Sequence, residues 1–169
     1  MKTIKKQLSK GLSYLIEIHE KTSSWTAQKI GPIVFNYGTK EKNWKLSTTE
    51  LLQYPEGSLG KEMGQFLKKN RIEPLANAEY HDVHHVLLDY SISFKDEVAL
   101  QFFLHGNGKK SIASISTLIG AWCLLPMHWK YLKAAYQRGK NCKDISAINF
   151  KTDLYHNLTQ IKSSLFTGI

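Results

Sequence analysis

Residues 81–90 read His-Asp-Val-His-His-Val-Leu-Leu-Asp-Tyr, and Glu97 follows His85 after eleven intervening residues. The composition predicts a helix, and the helical repeat then sets His81 and His85 one turn apart on one face. Two imidazoles at that spacing can chelate, and a carboxylate on the next element would close the site. Two histidines and one acid suit a divalent metal with open positions, either Zn(II) or a redox-capable ion such as Fe(II). The same helical wheel admits a plainer reading. Val83, Val86, Leu87 and Tyr90 would form an apolar core face, and His81, Asp82, His84, His85 and Asp89 a solvated polar one.

The segment after it bears on the choice. Glu97 to Leu104 is apolar nearly all round, interrupted only by Glu97 and Gln101, so a helix there is buried. A carboxylate at its start is costly without a partner. A metal on His81 and His85 would be that partner; the rival is an exposed first-turn acid favoured by the helix dipole. The short connection through Ser91 and Ser93 lets the two helices pack as an antiparallel pair.

Outward from this pair the chain continues to read as helices. Ser47 to Glu50 has the form of a capping box ahead of Leu51 and Leu52. Pro55 to Ser58 marks a turn, and Leu59, Met63, Phe66 and Leu67 stripe a helix from Leu59 to Asn70 with basic residues at its end. Pro74 is expected to open the central helix. Gly106-Asn107-Gly108 ends the helix that begins near Glu97. Ser111 to Met127 carries no charge and mixes Ser, Ala and Gly with Ile and Leu, which fits a core helix or room for a long apolar ligand. Pro126 bends or ends it. Met127 to Arg138 forms a further helix closed by Gly139 and Lys140, and Leu154, Leu158, Ile161 and Leu165 stripe a terminal one. Toward the other end, Ile4, Leu8, Leu12 and Leu15 alternate with lysines in an amphipathic basic helix from Lys2 to Glu20. It packs on the core or lies on a membrane surface. Gly31-Pro32 and Gly38 break the stretch that follows into turns. The expected architecture is an all-α, single-domain helical bundle over residues 1–169, a length that suits one core.

The formal charge of +9 comes almost wholly from lysine, because only Arg71 and Arg138 are arginines. Sequence-specific nucleic-acid reading leans on bidentate guanidinium contacts, so nucleic acid is not an expected partner. An anionic membrane surface is. Cys123 and Cys142 form no CxxC pair and no signal peptide is visible, so the chain reads as a reduced, intracellular protein. No stretch reaches the roughly 20 apolar residues that span a bilayer. The expected place is therefore cytoplasmic, peripheral at the inner face of the membrane.

The His-Asp-x-x-His pair at His81, Asp82 and His85, followed by eleven residues and Glu97, resembles the signature of the coenzyme Q (ubiquinone) biosynthesis protein four family. Tyr54 to Gly60 resembles that family's Pro-Gly-Ser turn, and Ile161 to Ile169 its closing helix with a terminal Gly-Ile. The resemblance implies an all-helical protein that binds a divalent metal through His81, His85 and Glu97. Asp82 would then handle a proton beside the metal. The implied substrate is a prenylated aromatic quinone precursor, the implied step a decarboxylation of its ring with oxidation, and the implied partners other quinone-biosynthesis proteins. Two features depart from the family pattern. Leu75 to Tyr80 contains no arginine, and Asp96 stands where a glycine is usual before the glutamate.

Three functional classes stay open at this point. One is a metal-dependent enzyme on a prenylated aromatic acid, a lyase in type. The second is a non-catalytic lipid- or quinone-binding scaffold with a structural metal. The third is a helical metal-dependent hydrolase, for which His19 and Asp144 or Asp153 would have to supply further ligands. Homo-oligomerisation is compatible with each.

Overall fold

The computed structural model describes residues 44–74, 79–110, 115, 117–121 and 125–166, together with 17 and 21. Every regular element among them is a helix; the single β-type pairing is an isolated bridge between Ser58 and Asn157. The all-α expectation holds. Of the expected basic helix, Glu17 is helical and exposed, as is Lys21 just beyond it, and the rest lies outside the described residues, as do the turns at Gly31-Pro32 and Gly38.

Helix α1 (Thr48–Leu51) starts at the expected capping box: Ser47 accepts from the Glu50 amide and the Glu50 side chain accepts from the Ser47 amide. Helix α2 (Leu59–Asn70) begins at its own cap, Ser58, and buries Leu59, Met63 and Leu67. It ends at Arg71, in the left-handed region at φ 57°, with the Ile72 amide bonded back to the Leu67 carbonyl. Helix α3 (Glu79–Leu88) and helix α4 (Phe94–Gly106) hold the central histidines and Glu97. Residues 75–78, where Pro74 was expected to start the helix, lie outside the described set.

A 3₁₀ turn at Pro126–His128 leads into helix α5 (Trp129–Asn141). Gly139 was expected to end this helix but is inside it. The reason is tertiary: a Cβ on Gly139 would stand 2.1 Å from the Phe103 carbonyl oxygen, and one on Gly106 would stand 2.2 Å from that of Tyr136. The two glycines let the backbones of α4 and α5 touch. Asn107 locks the junction, donating to the carbonyls of Gly139, Cys142 and Lys143 and accepting from the Ile145 amide.

The terminal helix is broken where the apolar stripe suggested continuity. A 3₁₀ turn at Ile145–Ala147, helix α6 (Phe150–Asp153) and helix α7 (Leu158–Leu165) take its place. The carbonyls of Leu154 and His156 accept from Gly60 and Leu59 at the start of α2, so they leave the helical ladder, and Asn157 caps a new start. In the uncharged segment, residues 117–121 are helical. Ala121 is buried and Leu118 packs on the core, but Ile115 and Ile119 face out at 45% and 67% exposure. The described part of that segment therefore puts Leu118, Ala121 and Leu125 on the core and leaves Ile115, Ile119 and Met127 exposed, where a core helix buried throughout was one expectation. No helix among the described residues is long and apolar enough to cross a membrane.

Candidate metal centre

Helix α3 has no solvated face. Glu79, Asp82, His84 and His85 are buried along with Val83, Val86, Leu87 and Leu88. The reading of a polar surface opposite an apolar one is thus overturned, and each polar group needs an internal partner.

His85 has three. Leu88 ends α3, Asp89 takes the left-handed region at φ 60°, and the Tyr90 amide bonds back to the His85 carbonyl at 3.1 Å. That turn brings the Tyr90 carbonyl over the His85 ring, 3.1 Å from Nδ1. An accepting carbonyl requires the proton on Nδ1, which leaves Nε2 free to face outward. Phe66 of α2 stacks on the ring at 5.4 Å between centroids, inclined by 17°.

Nε2 of His85 lies 3.0 Å from Nε2 of His81 and 3.3 Å from Glu97 Oε1, and His81 Nε2 lies 3.2 Å from Glu97 Oε2. The structure therefore brings together His81, His85 and Glu97, one donor from each lying within 4.8 Å of the other two. Glu97 is a first-turn residue of α4 as expected, but its carboxylate turns to the imidazoles. Exposure rises from 2% for the His85 side chain through 20% for His81 to 33% for Glu97, so the cluster opens toward solvent on the Glu97 side.

The charges are matched. Burial raises the pKa of Glu97, but hydrogen bonds and charge from His81 and His85 outweigh it and hold the carboxyl at about 2. Burial lowers that of His85, yet the Glu97 hydrogen bond and charge, the Tyr90 carbonyl and the charge of Asp82 leave it raised. Asp82 is itself buried, near enough for its charge to act on His85. His84 belongs elsewhere. It lies edge-on to Phe150 at 5.6 Å, and burial, then repulsion from Lys109, His81 and His85, pushes its pKa well down.

The donor spacing fits a metal ion. Tetrahedral ligands at ~2.0–2.1 Å from Zn(II) stand about 3.3 Å apart, close to the three separations seen here. His85 shows its lone pair to the gap because its other nitrogen is occupied, the arrangement that orients metal-bound imidazoles generally. Asp144 and Asp153, the further ligands a hydrolase would need, are not in the group. Asp144 caps the 3₁₀ turn at Ile145, and Asp153 pairs with His156 at 3.0 Å; His19 lies outside the described residues.

Several groups around the centre were not legible in the sequence. Glu79 is 2% exposed and accepts from the Trp44 amide at 2.8 Å, a partner 35 positions away. Asp96 gathers the Ser91 amide at 3.0 Å, the Ser91 hydroxyl and the Tyr131 hydroxyl at 2.7 Å. No local pattern announces partners 35 positions away, Trp44 for Glu79 and Tyr131 for Asp96.

Comparison with known proteins agrees with the fold and the motif. The family model described as coenzyme Q (ubiquinone) biosynthesis protein Coq4 matches residues 76–167, just over half of the chain and inclusive of all three donors. A crystal structure from Nostoc punctiforme, described as a ubiquinone biosynthesis protein, superposes with a TM-score of 0.58 at 17% identity. The match covers 89% of this chain and 82% of that one. No curated protein matches the chain by sequence.

Proposed function

The chain belongs to the coenzyme Q (ubiquinone) biosynthesis protein Coq4 family, and on that premise we propose that His81, His85 and Glu97 hold a divalent metal at which the ring of a prenylated quinone precursor is processed. Membership carries a role in ubiquinone biosynthesis; the metal, the substrate and the reaction are the proposal. The observation that supports it is the three-donor cluster with its spacing of 3.0–3.3 Å and its opening on one side. A structural zinc site is closed by four protein ligands. The group found among the described residues has three, which favours open coordination positions and hence chemistry over a purely structural ion.

The bound ion would supply a Lewis-acidic centre able to polarise an oxygen of the ring or its carboxylate; an oxidative step would need Fe(II) or another redox metal, because Zn(II) has no redox chemistry. The protein's own groups do the rest. The Tyr90 carbonyl keeps the His85 proton on Nδ1, and Glu97, anionic down to about pH 2, balances the charge of the site. Asp82, buried within reach of His85 electrostatically, is proposed to accept or return a proton when the ring carbon exchanges its substituent. Its burial restricts competing exchange with water.

The apolar tail of such a substrate needs an apolar surface. Ile115, Ile119, Met127 and Trp129 are exposed apolar side chains, and the chain carries a formal charge of +9. We assign to them peripheral docking on an anionic membrane at its inner face, from which a prenylated precursor would be drawn. Other quinone-biosynthesis proteins are the expected assembly partners.

The deciding measurement is metal analysis of protein purified without a histidine tag, paired with carbon dioxide release from a prenylated 4-hydroxybenzoate-type acid. Expected are a metal in the wild type, its loss with His81→Ala or Glu97→Gln, and carbon dioxide release that depends on it. Wild-type protein that takes up no divalent ion removes the proposal. A metal-loaded protein that binds the prenylated acid without releasing carbon dioxide leaves the scaffold in its place.

A further inference from the structure

We propose that helix α5, which supplies none of the three donors, positions two of them: Arg138 acts on His85 through Tyr90, and Tyr131 acts on Glu97 through Asp96. Tyr131 and Arg138 are seven residues apart, which returns a helix to within about 20° of the same face. Both therefore point from α5 toward the junction of α3 and α4, and the close approaches of Gly106 to the Tyr136 carbonyl and of Gly139 to the Phe103 carbonyl hold α5 at backbone distance from α4.

The Arg138 arm works at the end of α3. Its guanidinium donates to the Leu88 carbonyl at 2.6 Å, one of the acceptors a helix C-terminus leaves without an intrahelical partner. It also lies over the rings of Tyr90, Phe103 and Phe166, at 5.6, 5.6 and 5.0 Å from their centroids. Tyr90 is thus held by its ring, while its amide is bonded to the His85 carbonyl and its own carbonyl faces Nδ1 of His85. Remove the guanidinium and the turn after α3 loses both its carbonyl cap and its ring clamp. Tyr90 is then held by fewer contacts, and its carbonyl's hold on the His85 proton at Nδ1 weakens. The other tautomer carries a proton on Nε2 and cannot coordinate through it.

The Tyr131 arm works at the start of α4. Its hydroxyl donates to Oδ1 of Asp96, whose Oδ2 already holds the Ser91 amide and hydroxyl. Lys95 sits over the same Tyr131 ring at 5.0 Å. The first turn of α4, where Glu97 lies, is thereby tied to α5 on one side and to the interhelical connection on the other. Supporting contacts of this kind are worth ~10–100-fold in metal affinity where they have been removed.

The inference rests on the metal reading of His81, His85 and Glu97, but its first test does not need a metal. In chelator-treated, ¹⁵N-histidine-labelled protein at alkaline pH, where imidazoles are neutral, long-range ¹⁵N–¹H spectra report each tautomer. Wild-type His85 should be in the Nδ1–H form and Arg138→Met should populate both forms. Arg138→Lys, which can still donate to Leu88, should restore part of the preference. Tyr131→Phe should leave the tautomer alone and weaken Co(II) binding roughly 10-fold, with an altered visible Co(II) spectrum. Leu132→Ala, which removes a buried side chain of α5 between the two arms, is the control for plain destabilisation: it should lower Tm and change neither readout. An unchanged His85 tautomer in Arg138→Met overturns the Arg138 link, and unchanged Co(II) binding and spectrum in Tyr131→Phe overturn the Tyr131 link. Equal effects from Leu132→Ala overturn both. Wild-type protein that ignores Co(II) refutes the metal reading, while the tautomer spectra still decide the Arg138 link.

Discussion

Glu97 lies against both imidazoles, and its interaction with His85 bears on the acid–base behaviour of both groups in the metal-free centre. Its sign can be worked out from either partner. The Glu97 pKa falls from 4.5 to about 2 on folding, so its contribution is fully present above about 4.5 and is lost as pH drops toward 2. His85 is raised above 6.5, so its contribution is fully present below 6.5 and is lost as pH climbs through the higher folded value. The metal-free protein should therefore draw most stability from the cluster between roughly pH 4.5 and 6.5, and Glu97→Gln should flatten both flanks in Tm measured across that range. A metal reverses the upper flank, because its ligands must be unprotonated; metal-induced stabilisation should grow with rising pH through the histidine range. His84 separates coordination from packing. Buried against Phe150 and outside the donor group, it should be replaceable by Ala at a cost of about 1–3 kcal/mol in stability with metal retained. Loss of metal in His84→Ala as complete as in His81→Ala would overturn the ligand assignment.

At the scale of elements, the same substitution should give opposite results on two helices. Gly139→Ala drives a methyl into the Phe103 carbonyl, backbone against backbone, and should reach or exceed the upper end of the ~1–3 kcal/mol overpacking range. Gly120 is helical, and a Cβ there would meet nothing within 4 Å, so Gly120→Ala should be neutral or stabilising by up to about 1 kcal/mol. Urea titration of the two variants side by side checks both. Helix α5 is the element on which these packing effects converge, since it touches α4 through glycine and carries the two residues that brace α3 and α4. Destabilising it without moving Tyr131 or Arg138 is expected to leave the donor geometry in place.

For the whole molecule, the tests concern what the centre and the surface do together. A metal that binds only the folded chain should raise stability by about 2.7 kcal/mol at a hundredfold excess over its Kd, and Glu97→Gln should abolish that rise in a thermal melt. The exposed apolar side chains of Ile115, Ile119, Met127 and Trp129 set a second expectation. Each buried methylene of a ligand tail contributes about 0.8 kcal/mol, while each lysine near an anionic membrane contributes roughly 1 kcal/mol. Affinity should therefore rise with prenyl length at constant ring chemistry, and salt should weaken only the vesicle-dependent component. Equal affinity for a prenylated ring and its tail-less analogue would leave a small soluble substrate at His81, His85 and Glu97.

Much of this protein is determined locally, and that part could be read directly. Helical periodicity, the box at Ser47 and Glu50, the span of α2 and the one-turn spacing of His81 and His85 depend on residues within a few positions of one another. Local preferences of that range are carried by the chain itself. The pairing of Glu97 with the histidines was legible only as an alternative, because a first-turn acid satisfies the helix dipole equally well in solvent. Three outcomes were decided by tertiary contact alone. The terminal helix breaks because the carbonyls of Leu154 and His156 bond to the start of α2, and α5 runs through Gly139 because α4 needs that space. His84 is core and His85 joins the cluster with His81 and Glu97, although the two are adjacent and identical in type, because Phe150 covers one and the Tyr90 carbonyl with Glu97 claims the other. Neighbouring positions on a helix point about 100° apart, and only the elements packed around α3 determine what each direction meets.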